Sequence, residues 1–280
     1  MKPGVALGFI LAFMAFLVAS KVYFDRQATL REIKAQEARV TRQAQTKAKK
    51  TSKKDTSTSN SSVEYKPIID ISGWQMPSQV DYDQMADNVS GVIVRVHSGA
   101  QAKKENNATY LNGIDKAYET HIKEFQKRNI PVAVYAYVAA SSKKEMEKEA
   151  KEFYEAASKY NPTYYWLDVE EKTMSDMNGG VEAFRSKLKD LGATNVGIYI
   201  GTYFILEHSI DTSKFDAIWI PTYGADNGYY DAAPETDLDY DLHQYTSQGW
   251  LPGFEYQLDL NQLSTLKDQK TTYQKLFGSK

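Results

Sequence analysis

The sequence contains no cysteine, and this absence excludes several classes of protein. A disulfide framework, a thiolate metal site and a lipid-modified cysteine near the amino terminus all require that residue. Histidine occurs four times, without the His-Glu-x-x-His spacing of a zinc hydrolase. Phosphate-binding loops and the glycine-rich dinucleotide fingerprint are also missing from the sequence. We therefore expect a protein that uses no metal, nucleotide or NAD cofactor.

A long hydrophobic run lies at the amino terminus. Residues 4–20 form an uncharged, apolar stretch of 17 residues between Lys2 and Lys21, at the lower limit for a membrane-spanning helix. Small residues at positions 18 and 20 would also suit cleavage by a signal peptidase. We expect residues 1–22 to be a transmembrane anchor or a signal segment, and we favour a retained anchor.

A basic and polar segment follows the hydrophobic run. Residues 21–55 contain 11 basic and 4 acidic residues, and residues 51–62 are rich in Ser and Thr. We interpret residues 23–62 as a spacer that can contact anionic lipid or an anionic wall polymer, with a purely solvated spacer as the alternative. Positive charge after a membrane span favours retention in the cytoplasm, which argues against an exterior location.

The remainder of the chain has the opposite charge. Outside residues 21–55 and Lys2 there are 22 basic and 32 acidic residues. Nucleic-acid binding depends on clustered positive charge that neutralises phosphates. The composition therefore argues against a nucleic-acid partner.

From residue 65 onward, short apolar runs rich in Val, Ile and Tyr alternate with segments of helical pattern. Eight runs have the length of strands: residues 67–71, 91–97, 130–138, 164–170, 196–201, 217–223, 240–246 and 255–260. Helices are predicted over residues 113–128, 142–160 and 180–191. Ser141 and Ser142 are placed to cap the second of these helices.

Alternation of strands and helices predicts a parallel sheet, and eight strands in about 215 residues indicate a closed barrel. The last third is less regular, because residues 219–259 contain turn-forming pairs such as Asn227-Gly228 and lack the pattern of crossover helices. We predict an α/β barrel with helices in the first five units and loops between the last strands. An open, doubly wound sheet is the alternative.

Four acidic residues lie near predicted strand ends, where the chemistry of such a barrel is located. Asp168 and Glu170 end the fourth strand, so both side chains point to one face with backbones roughly 6.6 Å apart. Asp70 lies near the end of the first strand and Asp259 at the end of the eighth, its neighbour in a closed barrel. Crowded carboxyl groups separate in pKa, as acid-assisted glycoside hydrolysis requires. We predict one shared site rather than solvated strand ends.

With these acids placed, the sequence resembles the glycoside hydrolase family 25 lysozymes, which are N-acetylmuramidases. The similar segments are 70–75 (DISGWQ) with 80–82 (VDY), 167–170 (LDVE), 217–224 (AIWIPTYG), and 243–249 (HQYTSQG) with 252–253 (PG) and 258–261 (LDLN). Each segment alone is weak, but their order and spacing are specific. Together they cover roughly residues 66–265.

The resemblance implies a (β/α)5(β)3 TIM-like barrel over residues 63–280, preceded in this chain by the hydrophobic segment and the basic spacer. It also implies hydrolysis of the β-1,4 bond between N-acetylmuramic acid and N-acetylglucosamine in peptidoglycan. By position in the matching motifs, Glu170 is the proton donor and Asp168 the second catalytic carboxylate. Asp70 and Asp259 are the supporting acids of the groove.

Substrate contacts are expected from aromatic rings that stack on sugar faces and from hydrogen-bonding side chains. The residues assigned to this role are Trp74, Gln75, Tyr135, Tyr137, Tyr199, Trp219, Tyr223, Gln244 and Tyr245. Core packing is the alternative for both tryptophans and for about half of the tyrosines. His97 and His243 are expected to make structural hydrogen bonds rather than to act as ligands or bases.

The chain departs from the family pattern at Met76-Pro77, at residues 94–98 (VRVHS) and at residues 135–137 (YAY). These departures leave the Asp-x-Glu acids in place and concern the sugar contacts of the groove. They also motivate the first alternative, a catalytically inactive peptidoglycan-binding or scaffold protein. A barrel glycosidase that acts on another acetylated glycan, such as chitin, is the second.

The leading hypothesis is an exported muramidase. We predict a location at the cell membrane, with a single-pass anchor and the catalytic domain outside the cell, or secretion if the amino terminus is cleaved. Its predicted partners are peptidoglycan glycan strands, the membrane through the amino-terminal segment, and an anionic lipid or wall polymer at the spacer.

Overall fold

Eight strands close into a barrel in the order in which they occur along the chain. This computed structural model describes residues 65–99 and 105–278. The strands are β1 (Ile68–Ile71), β2 (Gly91–His97), β3 (Val132–Tyr137), β4 (Tyr165–Val169), β5 (Val196–Ile200), β6 (Ala217–Pro221), β7 (Leu242–Gly249) and β8 (Leu258–Leu263). The eight predicted strands are therefore all present, with shifted ends.

Strands β1 to β7 run parallel to one another, and β8 pairs antiparallel with both β7 and β1. In the pairing that closes the barrel, Asp70 lies directly opposite Asp259. The prediction of a closed α/β barrel is confirmed, and the alternative of an open, doubly wound sheet is wrong. A short return from β7 to β8 supplies the closing strand without a crossover helix.

Five α-helices follow the first five strands, and a sixth ends the described chain. They are α1 (Tyr82–Ala86), α2 (Tyr118–Lys127), α3 (Lys143–Ala157), α4 (Met177–Asp190), α5 (Thr202–His208) and α6 (Gln269–Phe277). Short 3-10 turns occur at Pro77–Gln79 and Ser158–Tyr160. Between β6 and β8 the described chain contains no helix, as the turn-rich sequence predicts.

Helix ends differ from the sequence prediction where side chains cap the backbone. α3 begins after Ser142, whose hydroxyl accepts a hydrogen bond from the Glu145 amide, as predicted. α4 begins three residues earlier than predicted, because the Asp176 carboxylate accepts the amide of Gly179 at 2.9 Å. α2 begins five residues late, since the chain before it forms a turn with Gly113 at a φ of 86°.

Alternate side chains of the strands divide the core into two parts. One set points into the barrel and includes Ile68, Ile93, Trp166, Trp219 and Leu263. The other set packs between the sheet and the surrounding helices. Side chains at every second strand position therefore line the interior of the barrel and determine its chemistry.

The interior is closed at the amino ends of the strands by α6. Phe277 lies so close to Gly91, the first residue of β2, that a Cβ at this glycine would be 2.9 Å from the ring. Nearby, the Tyr273 hydroxyl donates a hydrogen bond to the Ser90 carbonyl at 2.7 Å. Apolar and aromatic side chains fill this end of the barrel, so polar groups can collect only at the opposite end.

The predicted anchor or signal segment and the predicted spacer lie outside the described residues. Within residues 65–99 and 105–278, no helix is both long and apolar enough to cross a bilayer.

Candidate active site

An open cleft of roughly 300 Å³ lies at the carboxyl ends of the parallel strands. Its lining residues come from four of these strands, from β8 and from the loop after β1. They are Asp70, Ile71, Ser72, Trp74, Gln75, Arg95, Ser98, Tyr135, Tyr137, Asp168, Glu170 and Asp259. The structure thus brings together all four acids that the sequence places at strand ends.

Asp168 and Glu170 form a pair along one strand. Asp168 is buried near the end of β4, and Glu170 follows the strand and is exposed. Burial raises the pKa of Asp168 well above its usual range, and the neighbouring carboxyl group of Glu170 adds to this rise. In the free protein the proton of this pair is therefore held on the buried partner.

The floor beneath this pair is aromatic. Trp166 lies two residues before Asp168 on the same strand face, and its ring packs edge-on against Trp219 at 5.6 Å between centroids. Gly197 makes room for it, because a Cβ at this position would lie 2.4 Å from the Trp166 ring. A dry floor of this kind disfavours charge on the carboxyl group above it.

Asp70 and Asp259 form a second pair across the β1–β8 seam. The sequence predicts that Asp259 ends the eighth strand, and this is wrong, because β8 starts at Leu258. Since β8 is antiparallel, its beginning lies beside the carboxyl end of β1, so the predicted proximity to Asp70 is still correct. Burial raises the pKa of Asp70 to about 6 and that of Asp259 to about 8, and the charge of Asp70 adds to the latter shift.

Two amide side chains hold Asp70 from below. The Asp70 Oδ2 atom accepts hydrogen bonds from Gln244 Nε2 at 2.9 Å and from Asn261 Nδ2 at 2.7 Å. Gln244 Oε1 in turn accepts the hydroxyl of Tyr199 at 2.8 Å and that of Tyr223. These bonds lower the pKa of Asp70 in opposition to burial and fix the orientation of its carboxyl group.

A cation also lines the cleft. Arg95 on β2 forms an ion pair with the buried Asp115, with Nη2 3.0 Å and Nε 3.1 Å from Oδ2. The same carboxylate accepts the backbone amide of Gly73 at 2.8 Å. Arg95 partly offsets the rise in the pKa of Asp168. This ion pair therefore ties the loop after β1 to the wall of the cleft that faces the acids.

Trp74, Gln75, Tyr135 and Tyr137 lie on the cleft walls, as the sequence predicts for substrate contacts. The Trp74 side chain is 57% exposed and stands free at the rim. Gln75 Oε1 accepts the Ser72 amide at 2.9 Å, which shapes the loop that carries the tryptophan. Burial raises the pKa of both tyrosines, so their hydroxyls remain neutral donors and acceptors.

Comparison with known proteins identifies the barrel. The sequence profile described as glycosyl hydrolases family 25 matches residues 69–254, which include three of the four cleft acids. The chain belongs to glycosyl hydrolase family 25. It is therefore a glycoside hydrolase, and the fold that the resemblance implies agrees with the closed barrel of the structure.

Solved structures agree with this assignment. A glycosyl hydrolase 25 of Streptococcus pneumoniae, described as the virulence factor GHIP participating in host cell invasion, is 62% identical over 76% of this chain and 92% of its own, with a TM-score of 0.74. An endolysin catalytic domain from a Listeria monocytogenes bacteriophage is 28% identical over 78% of this chain and 100% of its own, with a TM-score of 0.65.

A third similar structure is the modular autolysin LytC of Streptococcus pneumoniae, in complex with a synthetic peptidoglycan ligand. It is 25% identical over 72% of this chain and 47% of its own, with a TM-score of 0.57. A search of curated protein sequences gave no match.

Some residues predicted to contact substrate lie away from the cleft of this family 25 hydrolase. Trp219 is buried in the barrel, where its Nε1 donates to Asn261 Oδ1 at 2.8 Å, so it is a core residue. Tyr245 points out of the barrel because it follows the inward Gln244, and it packs in the outer core. Tyr199 and Tyr223 act behind the cleft surface, through Gln244.

Two of the four histidines, His97 and His243, make structural hydrogen bonds, as predicted for this pair. His97 Nδ1 accepts the Gly99 amide at 2.9 Å, and burial lowers the pKa of this histidine to about 4. His243 Nε2 lies 2.8 Å from the Thr222 carbonyl. Within the described ranges, no group of three or more His, Asp or Glu side chains is arranged to hold a metal ion.

Sequence reasoning notes Arg95 and Ser98 only within the departure at residues 94–98, and Asn261 only within the segment 258–261, and it assigns none of the three a role in the site of this family 25 hydrolase. Arg95 lies two positions after the inward Ile93, and Asn261 two positions after Asp259. Because every second residue of a strand points to the same face, this spacing identifies Arg95 and Asn261 as side chains that point into the barrel. Ser98 follows a register irregularity near the end of β2, so this spacing does not reach it.

Proposed function

We propose that this family 25 hydrolase is a lysozyme-type muramidase that cleaves the β-1,4 bond between N-acetylmuramic acid and N-acetylglucosamine in peptidoglycan. The observation that carries the proposal is the pair formed by Asp168 and Glu170 in an open cleft, with one partner buried and the other exposed. Such a pair supplies a proton and a carboxylate to one glycosidic bond. The family membership and the peptidoglycan ligand of the autolysin LytC support this choice of substrate.

We assign the proton transfer to Glu170. A glycan in the cleft covers this exposed carboxyl group, excludes water from it and brings the glycosidic oxygen within its reach. The proton then passes from Asp168 to the neighbouring Glu170 and onward to the glycosidic oxygen as the C1–O bond breaks. Water adds to C1, and the proton that it loses restores the pair.

Asp168 becomes a carboxylate as Glu170 takes the proton. Positive charge develops on the sugar ring in an oxocarbenium-like transition state, and a buried carboxylate nearby stabilises it more than it would in water. Arg95 lies near Asp168 and makes this ionised form less costly. The negative charge on Asp168 therefore forms at the stage of the reaction at which positive charge develops on the sugar ring.

The glycan contacts that we propose follow from exposure. Trp74 stands at the rim as a stacking surface, and Tyr135 and Tyr137 offer neutral hydroxyls within the cleft. Gln75 shapes the loop that carries Trp74. Asp70 and Asp259 hold the opposite wall, where they orient the sugar rather than donate the catalytic proton.

The location of the enzyme also belongs to the proposal. The hydrophobic residues 4–20 would hold the chain at the cell membrane, or export it if they are cleaved. Residues 23–62 would then span toward the wall and contact anionic lipid or wall polymer through their basic side chains. Protease treatment of intact cells tests this, since an extracellular barrel is digested before the cells are opened.

The experiment for the activity is digestion of purified peptidoglycan by the full chain, followed by reduction of the new ends and mass spectrometry. A muramidase leaves reduced N-acetylmuramic acid, whereas cleavage of the other glycosidic bond leaves reduced N-acetylglucosamine. Chitin serves as the comparison substrate. Retention of the chain on peptidoglycan with no new reducing ends would instead support a binding or scaffold protein, to which the altered residues Arg95 and Ser98 in the cleft wall would point.

A further inference from the structure

The two acids at the β1–β8 seam have unequal surroundings. Asp70 Oδ2 receives two amide donors, from Gln244 and Asn261. Within the described residues, no amide or hydroxyl donates to the Asp259 carboxyl group, which is half-buried in the cleft wall. Donors stabilise a carboxylate, and a carboxyl group without donors in a partly dry site keeps its proton more readily.

The seam cannot accommodate two negative charges at low cost. Asp70 and Asp259 are direct partners across antiparallel strands, where opposed Cβ atoms are about 5 Å apart and like charges repel. The charged and titratable groups that face them are Asp168 from β4, Glu170 directly after it, Tyr135 from β3, and Tyr223 and Asp226 from the loop after β6. Tyr199 from β5 reaches the seam through Gln244. Arg95 reaches the site from β2 but is paired with Asp115.

The orientation of the Asn261 amide is fixed. Its Oδ1 accepts the Trp219 Nε1 hydrogen at 2.8 Å, and an indole nitrogen can only donate. The amide nitrogen must therefore face the other way, where it reaches Asp70 Oδ2 and the Ile68 carbonyl at 3.1 Å. A flipped amide would bring two acceptors together at Asp70 and two donors together at Trp219.

From this geometry we propose that Asn261 is a positioning residue of the enzyme. Together with Gln244 it keeps the negative charge of the seam on Asp70, so that Asp259 carries the proton and donates a hydrogen bond to the bound sugar. The contact with the sugar rests on the proposed function, whereas the position of the proton does not. Asn261 acts through Asp70 and touches no substrate itself.

The first test is the pH dependence of kcat/KM for the full chain on peptidoglycan. Removing a donor in Asn261→Leu or in Gln244→Leu raises the affinity of Asp70 for a proton. The low-pH limb is therefore expected to move upward by roughly one pH unit. Asn195→Leu is the matched control, because Asn195 donates to the Thr163 carbonyl at 2.8 Å, at the amino end of the barrel. An unchanged limb in a folded, active variant would overturn the proposal.

The second test needs no turnover. The unfolding midpoints of wild type, Asn261→Leu and Gln244→Leu are compared at pH 5 and pH 8, because losing a hydrogen bond to the Asp70 carboxyl group costs most stability at a pH where that group is charged. The difference in midpoint is expected to be larger at pH 8, whereas that of Asn195→Leu is expected to be equal at both. If Asn261→Leu does not fold, Gln244→Leu carries the test alone. A difference in midpoint between wild type and variant that does not depend on pH overturns the positioning role. If the difference depends on pH as expected but the wild-type protein does not cleave peptidoglycan, only the proposed function is overturned.

Discussion

The two acid pairs of the cleft differ in their geometry and in their access to water. Asp168 and Glu170 follow one another along β4, with the first buried and the second exposed. Asp70 and Asp259 instead face one another across two strands, and amide side chains hold Asp70 in place. A pair with one exposed member can respond to a ligand that excludes water. A pair held by amides has a fixed distribution of charge, so we assign proton transfer to the first and sugar orientation to the second.

The largest effect that separates the pairs is expected from Glu170→Gln. Loss of the general acid should lower kcat on peptidoglycan by about a thousandfold, within the range of general acid catalysis. Release of soluble reducing ends measures it. Glu147→Gln, at an exposed position of α3, is the control and should leave the rate unchanged. A Glu170→Gln enzyme with wild-type kcat would remove the distinction between the pairs.

Asp168→Asn should have the next largest effect. The amide can neither pass a proton to Glu170 nor become a carboxylate, so kcat should fall about a hundredfold. KM should change less than kcat, because the Asp168 carboxylate is needed most in the transition state, where positive charge develops on the sugar ring. Steady-state kinetics on soluble peptidoglycan fragments separate the two constants, with the exposed Asp237→Asn as the control. A raised KM at unchanged kcat would mean that Asp168 only binds.

Gly197→Ala tests the aromatic floor beneath the first pair. A Cβ at this position would lie 2.4 Å from the Trp166 ring, and overpacking of this kind costs about 1–3 kcal/mol in the free energy of unfolding. Gly201→Ala is matched to it, because its Cβ would have no neighbour within 4 Å. That change should cost less than about 1 kcal/mol through the cap of α5. Denaturant unfolding measures both, and equal costs would show that the floor is loosely packed.

Asp259→Asn should give the smallest effect and tests the second pair. The pKa of Asp259 is raised in the folded state, so its contribution to stability is present at low pH and is lost as pH rises from about 4 to about 8. The variant should therefore show a flatter pH dependence and exceed wild type by about 1 kcal/mol at pH 8. Asp237→Asn should run parallel to wild type. A variant less stable than wild type at pH 8 would mean that Asp259 is ionised and stabilising.

The sequence predicts much of the arrangement of the two acid pairs, and the features that it does not predict have physical causes. Strand alternation places Asp168 and Glu170 on one face, and barrel closure brings Asp70 toward Asp259. The direction of β8 is not encoded in a short apolar run, so Asp259 is assigned to the wrong end of its strand. The hydrogen bond from Asn261 to the Asp70 carboxyl group is visible only in the three-dimensional structure.

Aromatic residues are the least predictable part of the site. Trp74 and Trp219 both follow or lie in strands near the family motifs, yet Trp74 is 57% exposed and Trp219 2% exposed. The difference arises because Trp219 lies at an inward position of β6 and packs edge-on against Trp166 and Tyr199, whereas Trp74 belongs to a loop. Composition does not distinguish the two tryptophans, whereas their position relative to the end of a strand determines whether the ring packs in the core or lines the cleft.

The most direct test of the acid role of Glu170 compares two leaving groups. Glu170→Gln is assayed on peptidoglycan and on a nitrophenyl glycoside of an N-acetylated oligosaccharide, since nitrophenolate leaves without being protonated. We predict a loss of about a thousandfold on peptidoglycan and less than about tenfold on the nitrophenyl substrate. Equal losses on both substrates would contradict the assignment of proton transfer to the Asp168–Glu170 pair.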